Sequence, residues 1–454
     1  MKTGYIVPLL LVCLLGGCEN QSPNELGNVN GRSIRPDEFV FSYETSPRSI
    51  TAGPKETAYE QVLDRLMERI LLSQESRRRG LDKEPEIARE LKYLEDAAIR
   101  RELFRENIRR VTEISEEDAR LAFSLAQKTL WIQHVELDSL ITAKPDVWNP
   151  DWKHVPINLT LSNVEVRGLG SVNLVGWNDV DTKLESILYQ LELKEWTAPI
   201  LKNGQSHLFR LLNVQTNQMT SESQFSNERE HYQSAIRKRV EHDHSFAFVQ
   251  ETMKPEKLTI KRQVLEQLTQ ALWAYKIDSD NLSFRAEGEI QLENLTLDDI
   301  GTSELAHFES GSFTVDDFRF FYKMNPQKLE ANNPGGLRHK LVNTIGIYVR
   351  DLVFAEIGRN EGLHKRHEVV QDYQYWQERL LASRLEQHIH ELSMPESGTD
   401  TEAAEDIASR AVAELSISLR GQAEISVNKD LLMTLKTSDE GLSRKIDLFT
   451  SYLN

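Results

Sequence analysis

Histidine and cysteine are the residues through which this chain could do chemistry, and both are sparse: twelve His and two Cys in 454 residues. Cys13 and Cys18 both lie at the extreme N-terminus, which excludes an internal disulfide framework and a cysteine-based zinc site. His134 and His207 stand in two separate alternating stretches, where a lone histidine serves as a satisfied core residue as readily as a catalytic one. His242 and His244 are two apart, as are His388 and His390, a spacing that points helical side chains away from one another and makes a poor metal site. His364, His367 and Glu368 could share a helix face, but in a Lys/Arg-rich turn they read as solvated surface. With no phosphate-cradling glycine loop, G-x-S-x-G elbow or H-E-x-x-H motif, hydrolase and metalloenzyme chemistry has no residues to carry it, and no metal ligand is assigned.

The elements that must hold these residues belong to a long, acidic, charged chain. At about 150 residues per domain, the length points to about three domains. A net charge of −17 argues against nucleic acid as a partner, although a local basic patch is not excluded. Hydrophobic content of 39% with 28% charged residues fits a helix-rich protein with solvated faces, and no polytopic membrane protein. The N-terminus reads as an address: Lys2, an apolar run from Tyr5 to Leu15, then Gly16-Gly17 directly before Cys18. That run is too short to span a bilayer and has the shape of a secretory signal. Leu14-Leu15-Gly16-Gly17-Cys18 looks like the bacterial lipobox. Residues 1–17 are therefore predicted to be removed and Cys18 to be lipidated, tethering the chain to a membrane of the bacterial envelope through a flexible leash over residues 18–30. Glu19 leaves either the inner or the outer membrane open.

From Lys55 to Arg79 the set Ala58, Val62, Leu63, Leu66, Met67, Ile70 recurs at three and four residues and predicts an amphipathic helix stopped by Gly80. A second helix opens near Pro85 and runs to about Val111, and Ser115-Glu116-Glu117-Asp118 resembles a capping box opening a third. Between Leu130 and Gln215 the pattern changes. Alternation over 130–137, 157–166 and 207–214 predicts strands, and 181–191 a helix, giving a small α+β insert. Helical periodicity returns over 222–253 and 263–275, followed by a polar strand-like stretch from Asn281 to Leu297. The second half then repeats the first. Asp37-Glu38-Phe39-x-Phe41-x-Tyr43 lines up with Asp316-Asp317-Phe318-x-Phe320-x-Tyr322, and Gly80-Leu81-x-Lys83-x-x-Glu86 with Gly362-Leu363-x-Lys365-x-x-Glu368, which argues for a duplicated helical module. An acidic linker over 396–406 leads to a helix, a strand near 423–428 and a terminal helix.

Asn30-Gly31-Arg32-x-Ile34-x-x-Asp37-x-Phe39, a Leu/Ile-rich helix, then Arg79-Gly80-Leu81-Asp82-Lys83 and Pro85-Glu86, resembles the N-terminal helical module of SurA-like and PrsA-like folding factors. The stretch 129–216 is similar to their parvulin-type peptidyl-prolyl isomerase domain, in degenerate form. Trp131-Ile132-Gln133-His134-Val135 stands where that family's first strand carries a histidine, and Gly168-Leu169-Gly170 resembles its glycine turn without the usual aspartate. Glu195-Trp196-Thr197-Ala198-Pro199-Ile200, with Gly204 and His207, resembles its closing turn and last strand. The resemblance implies an α+β, predominantly helical fold in which SurA-N-like helical modules flank a small parvulin-like α+β domain. The implied domains are a signal at 1–17, a tether at 18–30, a helical module at 31–128, the degenerate isomerase at 129–216, a helical segment at 217–280, a connector at 281–299, a second module at 300–392, and a linker, helix and strand at 393–454.

The resemblance also implies catalytic positions at His134 and His207 and substrate-pocket positions at Val180 and Leu184, where the family has methionine and phenylalanine. Prolyl isomerisation breaks no covalent bond; its barrier of about 18–20 kcal/mol is lost amide resonance. An apolar pocket and a few oriented polar groups therefore suffice, with no nucleophile, metal or cofactor. Val180 and Leu184 keep the pocket apolar but give up its aromatic wall, so isomerase activity is expected to be weak or lost. The expected role is that of an envelope chaperone whose partners are unfolded or partly folded polypeptide clients; the alternative is a scaffolding lipoprotein that docks one dedicated partner.

Overall fold

The computed structural model describes residues 25–110, 113–137, 160–161, 164–165, 171–202, 205–217, 221–279, 297, 300–329, 331–393 and 401–437. Cys13, Cys18, the Gly168-Leu169-Gly170 turn and nearly all of the 281–299 connector lie outside them. The chain opens with the hairpin β1 (Gly27–Val29) and β2 (Arg32–Ile34), then helices α1 (Pro36–Glu44), α2 (Lys55–Arg78), α3 (Pro85–Phe104) and α4 (Glu116–Ala126). A β-rich stretch follows: β3 (Lys128–Leu137), β4 (Thr160–Leu161), β5 (Val164–Glu165), β6 (Ser171–Val175), helix α5 (Thr182–Gln190), β7 (Ile200–Lys202) and β8 (Gln205–Thr216). Next come α6 (Glu222–Met253), β9 (Thr259–Ile260), α7 (Arg262–Ser279), β10 (Glu304–Phe308), β11 (Gly311–Thr314), α8 (Val315–Met324), α9 (Pro334–Asn360), α10 (His367–Ser393), α11 (Thr401–Gln422), β12 (Ile425–Val427) and α12 (Lys429–Thr434). The fold is predominantly helical α+β. It divides into two compact units, one built from residues 1–103 with 256–454, the other from 104–255.

In the first unit the duplication is visible in the backbone register. Gly27, Asn28 and Val29 pair with Ile34, Ser33 and Arg32, while Ala306, His307 and Phe308 pair with Phe313, Ser312 and Gly311. Each residue of the second hairpin lies 279 positions beyond its counterpart, 27 becoming 306 and 34 becoming 313. Further on, Gly80 and Gly362 both turn left-handed, at φ 82° and 78°, a conformation glycine adopts without a Cβ penalty. Each is followed by a single 3-10 turn that buries Leu81 or Leu363.

Each hairpin is completed by a strand from elsewhere. β12 pairs with β1 (Gly27 with Val427, Asn28 with Ser426), and β9 pairs with β10 (Ala306 with Ile260, His307 with Thr259). Thr259-Ile260 and Ser426-Val427 thus occupy the same register, and the helix after each buries a leucine, Leu265 or Leu432. The closure is exchanged. The segment after the β-rich stretch completes the second copy, and the C-terminal segment completes the first.

The long helices bury their apolar faces on one another. α10 packs along α2, with Leu72, Leu81, Ile87, Leu381, Leu385 and Ile389 in one cluster. Aromatic contacts between the copies are reciprocal: Phe41 meets Tyr375 at 5.0 Å, and Phe320, its counterpart, meets Tyr93 at 6.0 Å. That is the pattern of an isologous pair. These packed faces therefore offer no open apolar surface; among the described residues of this unit the exposed large apolar side chains are Val342, Val370, Leu392, Ile407 and Ile417.

Two expected boundaries move. The leash predicted over 18–30 already contains β1, because Leu26 and Val29 are fully buried and only Asn30-Gly31 form the turn. Residues 401–406 of the predicted linker are the first turns of α11.

In the second unit four antiparallel strands form a sheet in the order β6-β3-β8-β7, with β4 and β5 paired separately. Leu130 and Ile132 from β3, Val175 from β6, Leu211 from β8 and Leu188 from α5 form its core. Strand β6, unread in the sequence, pairs residue by residue with β3, Leu130 with Val175 through His134 with Ser171. Ser115 and Asp118 close the predicted capping box at α4, a device that contributes about 1 kcal/mol.

Candidate functional site

Register brings the two histidines together. His134 lies directly across from Phe209 in the β3–β8 ladder, and His207, two residues from Phe209, shares its face. His134 Nε2 and His207 Nδ1 are 3.0 Å apart, with ring centroids at 5.2 Å and planes inclined by 26°. Such a short nitrogen contact beside a longer centroid separation means that the rings meet edge to edge in a hydrogen bond. One imidazole donates and the other accepts, so the pair is held while at least one ring is neutral and breaks when both are protonated.

Phe209 lies nearly parallel to His134, 4.9 Å between centroids and 15° between planes. Its backbone is held on the far side by Thr197, whose hydroxyl accepts from the Phe209 N–H at 3.1 Å and whose N–H donates to the Phe209 carbonyl at 2.8 Å. Ile200, paired with His207 on β7, shares the same face. Thr197 falls within the closing-turn motif without a role assigned to it, and Phe209 lies outside the motifs the sequence offers. Phe209 was legible in principle, because a residue two positions from His207 on a strand must project from the same face.

Val180 and Leu184, the expected pocket positions, pack with Phe209, Tyr189 and Leu191 against the core beneath α5. They form an apolar shoulder. Helix α5 is fixed there by Asp181, whose carboxylate accepts from the Leu184 N–H at 2.9 Å, and by Tyr189, whose hydroxyl donates to the Lys128 carbonyl at 3.1 Å. Burial, with the Glu185 charge nearby, pushes the Tyr189 phenol up to about 12 and keeps it a donor. Trp177 packs on Tyr232 and under Arg239, and Trp196 stacks under Arg210.

The opposite face of the sheet carries exposed apolar side chains. Trp131 faces Leu174 and Gln133 faces Val172 across β3 and β6, and Trp131, Val172 and Leu174 are 39%, 48% and 61% exposed. Among the described residues no group of His, Cys, Asp or Glu could hold a metal ion. The site can therefore offer one hydrogen-bonded imidazole pair, an aromatic face and an apolar shoulder.

No family model and no curated protein matches the chain. Solved structures similar to parts of it include the following two. One comes from work on PEB4 and Cj1289, two SurA-like chaperones of Campylobacter jejuni; it is 12% identical, covers 52% of this chain and 100% of its own, and has a TM-score of 0.22. The other is the peptidylprolyl isomerase PrsA of Bacillus cereus, 13% identical, covering 47% of this chain and 84% of its own, with a TM-score of 0.20. Scores this low establish no shared fold.

Proposed function

We propose that this chain is an envelope lipoprotein chaperone of the parvulin foldase type, anchored through Cys18 and facing the periplasm, which binds unfolded secreted or outer-membrane clients and retains weak isomerase activity or none. The observation that carries this reading is the 3.0 Å hydrogen bond between His134 and His207 on adjacent strands. It joins two residues 73 positions apart, in the two stretches whose motifs resemble the parvulin strands. In this reading His134 and His207 orient the site and tune its electrostatics, while Val180 and Leu184 receive the prolyl ring. A twisting amide loses polarity, and an apolar wall beside a hydrogen-bonded imidazole pair favours that state over the planar one.

The test is a proline-peptide isomerisation assay on the protein beside His134→Ala and His207→Ala. Turnover above the uncatalysed rate that both substitutions abolish makes the pair catalytic; turnover indifferent to both removes it from the mechanism. Suppressed aggregation of several unrelated unfolded proteins supports the client-binding part.

A second reading has its own support: the apolar faces of the duplicated module are spent on one another. A scaffold that docks one partner needs no open cradle. It predicts a single stoichiometric partner and no suppression of aggregation.

A further inference from the structure

A hydrogen bond between two imidazoles does not by itself fix either ring. His134 and His207 are both half-buried, so water competes for their nitrogens. The Cβ–Cγ torsion of a histidine is also soft, and a modest swing of either ring takes Nε2 of one out of line with Nδ1 of the other. The bond therefore needs a neighbour that holds the plane of at least one ring.

The main chain of β8 decides which neighbour comes closest. Phe209 spends both its N–H and its carbonyl on Thr197, at 3.1 and 2.8 Å, on the side away from β3. His134 and Phe209 therefore face one another as a non-hydrogen-bonded pair, the kind in which antiparallel strands approach most closely, about 4.5 Å between Cα atoms. Side chains at such a pair press on one another. The Phe209 ring lies 15° from the plane of His134 with 4.9 Å between centroids, the spacing of an offset stack. His207 is 6.5 Å from the same ring and inclined by 27°, too far for full contact. One phenyl face thus bears on one imidazole of the two. Phe209 itself belongs to the cluster that contains Val180 and Leu184, and Thr197 keeps its main chain from sliding.

We infer that Phe209 is the positioning residue of the histidine pair: its ring holds the His134 imidazole in the plane that directs Nε2 at Nδ1 of His207. Control runs from Thr197 to Phe209, then to the His134 ring, and only through that ring to His207. A leucine at 209 fills a similar volume but has no flat face for the imidazole to lie against, so the ring regains its freedom to turn. The inference takes its functional meaning from the foldase reading, but not its geometry.

The experiment is solution NMR on the full chain carrying nitrogen-15 histidine, in mildly alkaline buffer, where free imidazole is neutral. Its signature is the nitrogen–nitrogen coupling carried across the hydrogen bond, which connects His134 Nε2 with His207 Nδ1 and vanishes when the rings part. The unsubstituted protein is expected to show it. Phe209→Leu and the more flexible Phe209→Met are expected to abolish it, while Phe209→Tyr retains it. Leu211→Val, a truncation two residues along the same strand in the core of the sheet, is expected to retain it as well. Every variant is measured well below its own melting temperature. Coupling that survives in folded Phe209→Leu or Phe209→Met overturns the assignment. So does coupling lost from Phe209→Tyr, or lost equally from Leu211→Val, which would make the effect one of general packing. No coupling in the unsubstituted protein removes the pair itself, and with it the observation behind the foldase reading. Absence of isomerase turnover sinks the catalytic reading alone, because the coupling is read without any substrate.

Discussion

The two copies of the helical module share backbone register but fill and wire it differently. In the first, Tyr59 on the long helix stands against Phe39 at 5.2 Å and Tyr43 at 5.0 Å. Counting from the paired glycines, Leu341 takes that place in the second copy, and the aromatic moves seven residues along to Tyr348, which meets Phe318 at 5.8 Å and Phe321 at 5.5 Å. Leu66 stands at that position in the first copy. Seven residues are two helical turns, so the face is conserved and the total volume with it, although neither position is. The phenols differ in reach. Tyr59 donates to the carbonyl of Leu435, in the exchanged C-terminal segment, whereas Tyr348 donates to Asn325 within its own copy.

Polar groups diverge further. Arg32 is a half-buried hub that bonds Glu38 at 2.7 Å and Glu378 of the other copy at 2.8 Å; its counterpart is Gly311. Asp317, the counterpart of Glu38, closes a capping box with Thr314 and also accepts from Arg89. Helix α1, by contrast, starts at Arg35 without a side-chain cap. Duplicated backbones tolerate such divergence because register depends on main-chain pairing, whereas each polar side chain needs only some partner.

Arg32→Ala should break this comparison hardest. It strands two carboxylates of 5% exposure and is expected to cost about 3–5 kcal/mol in urea unfolding. A loss below about 1 kcal/mol would mean that the triad is not what joins the copies there. Tyr59→Ala and Tyr348→Ala should each cost a comparable ~3–5 kcal/mol as core truncations. The sharper version is Tyr59→Leu with Leu66→Tyr, which copies the second module into the first. A cost near ~1–3 kcal/mol supports conserved volume, and one equal to truncation refutes it. Thr314→Ala should lower stability by about 1 kcal/mol, while Arg35→Ala leaves it nearly unchanged, readable as a difference in melting temperature. The smallest effect is in acid. Hydrogen bonds from Arg78, outweighing burial, and from Arg79 hold the Glu75 carboxyl at about 2 against an ordinary 4.5. A depressed folded-state value stabilises above pH 4.5, and that stability drains as pH falls from 4.5 toward 2. Glu75→Gln should flatten this part of the unfolding profile, as Ile357, its counterpart, already does by having nothing to titrate.

The repeat was legible because Asp37 to Tyr43 and Gly80 to Glu86 recur with the same residue types, and a left-handed turn leaves glycine little competition. Strand β6 was not, because Ser171–Val175 is short and its apolar residues fall on both faces. Val29 was hidden in the same way: three residues of strand inside a polar stretch carry too little alternation to be seen. The histidine positions could be taken from motif resemblance, whereas their hydrogen bond depends on which residue of β8 faces His134. A bulge between Trp131 and Ile132 shifts that register by one.

The sequence by itself determined the helices, the turn glycines, the duplication and the two strands that carry His134 and His207, since periodicity and backbone strain are local properties. Only the tertiary structure decided the exchange of β9 and β12 between the copies, the burial of the modules' apolar faces and the meeting of His134 with His207. Those depend on which distant segments meet, and many pairings satisfy the same local pattern until burial and register choose among them.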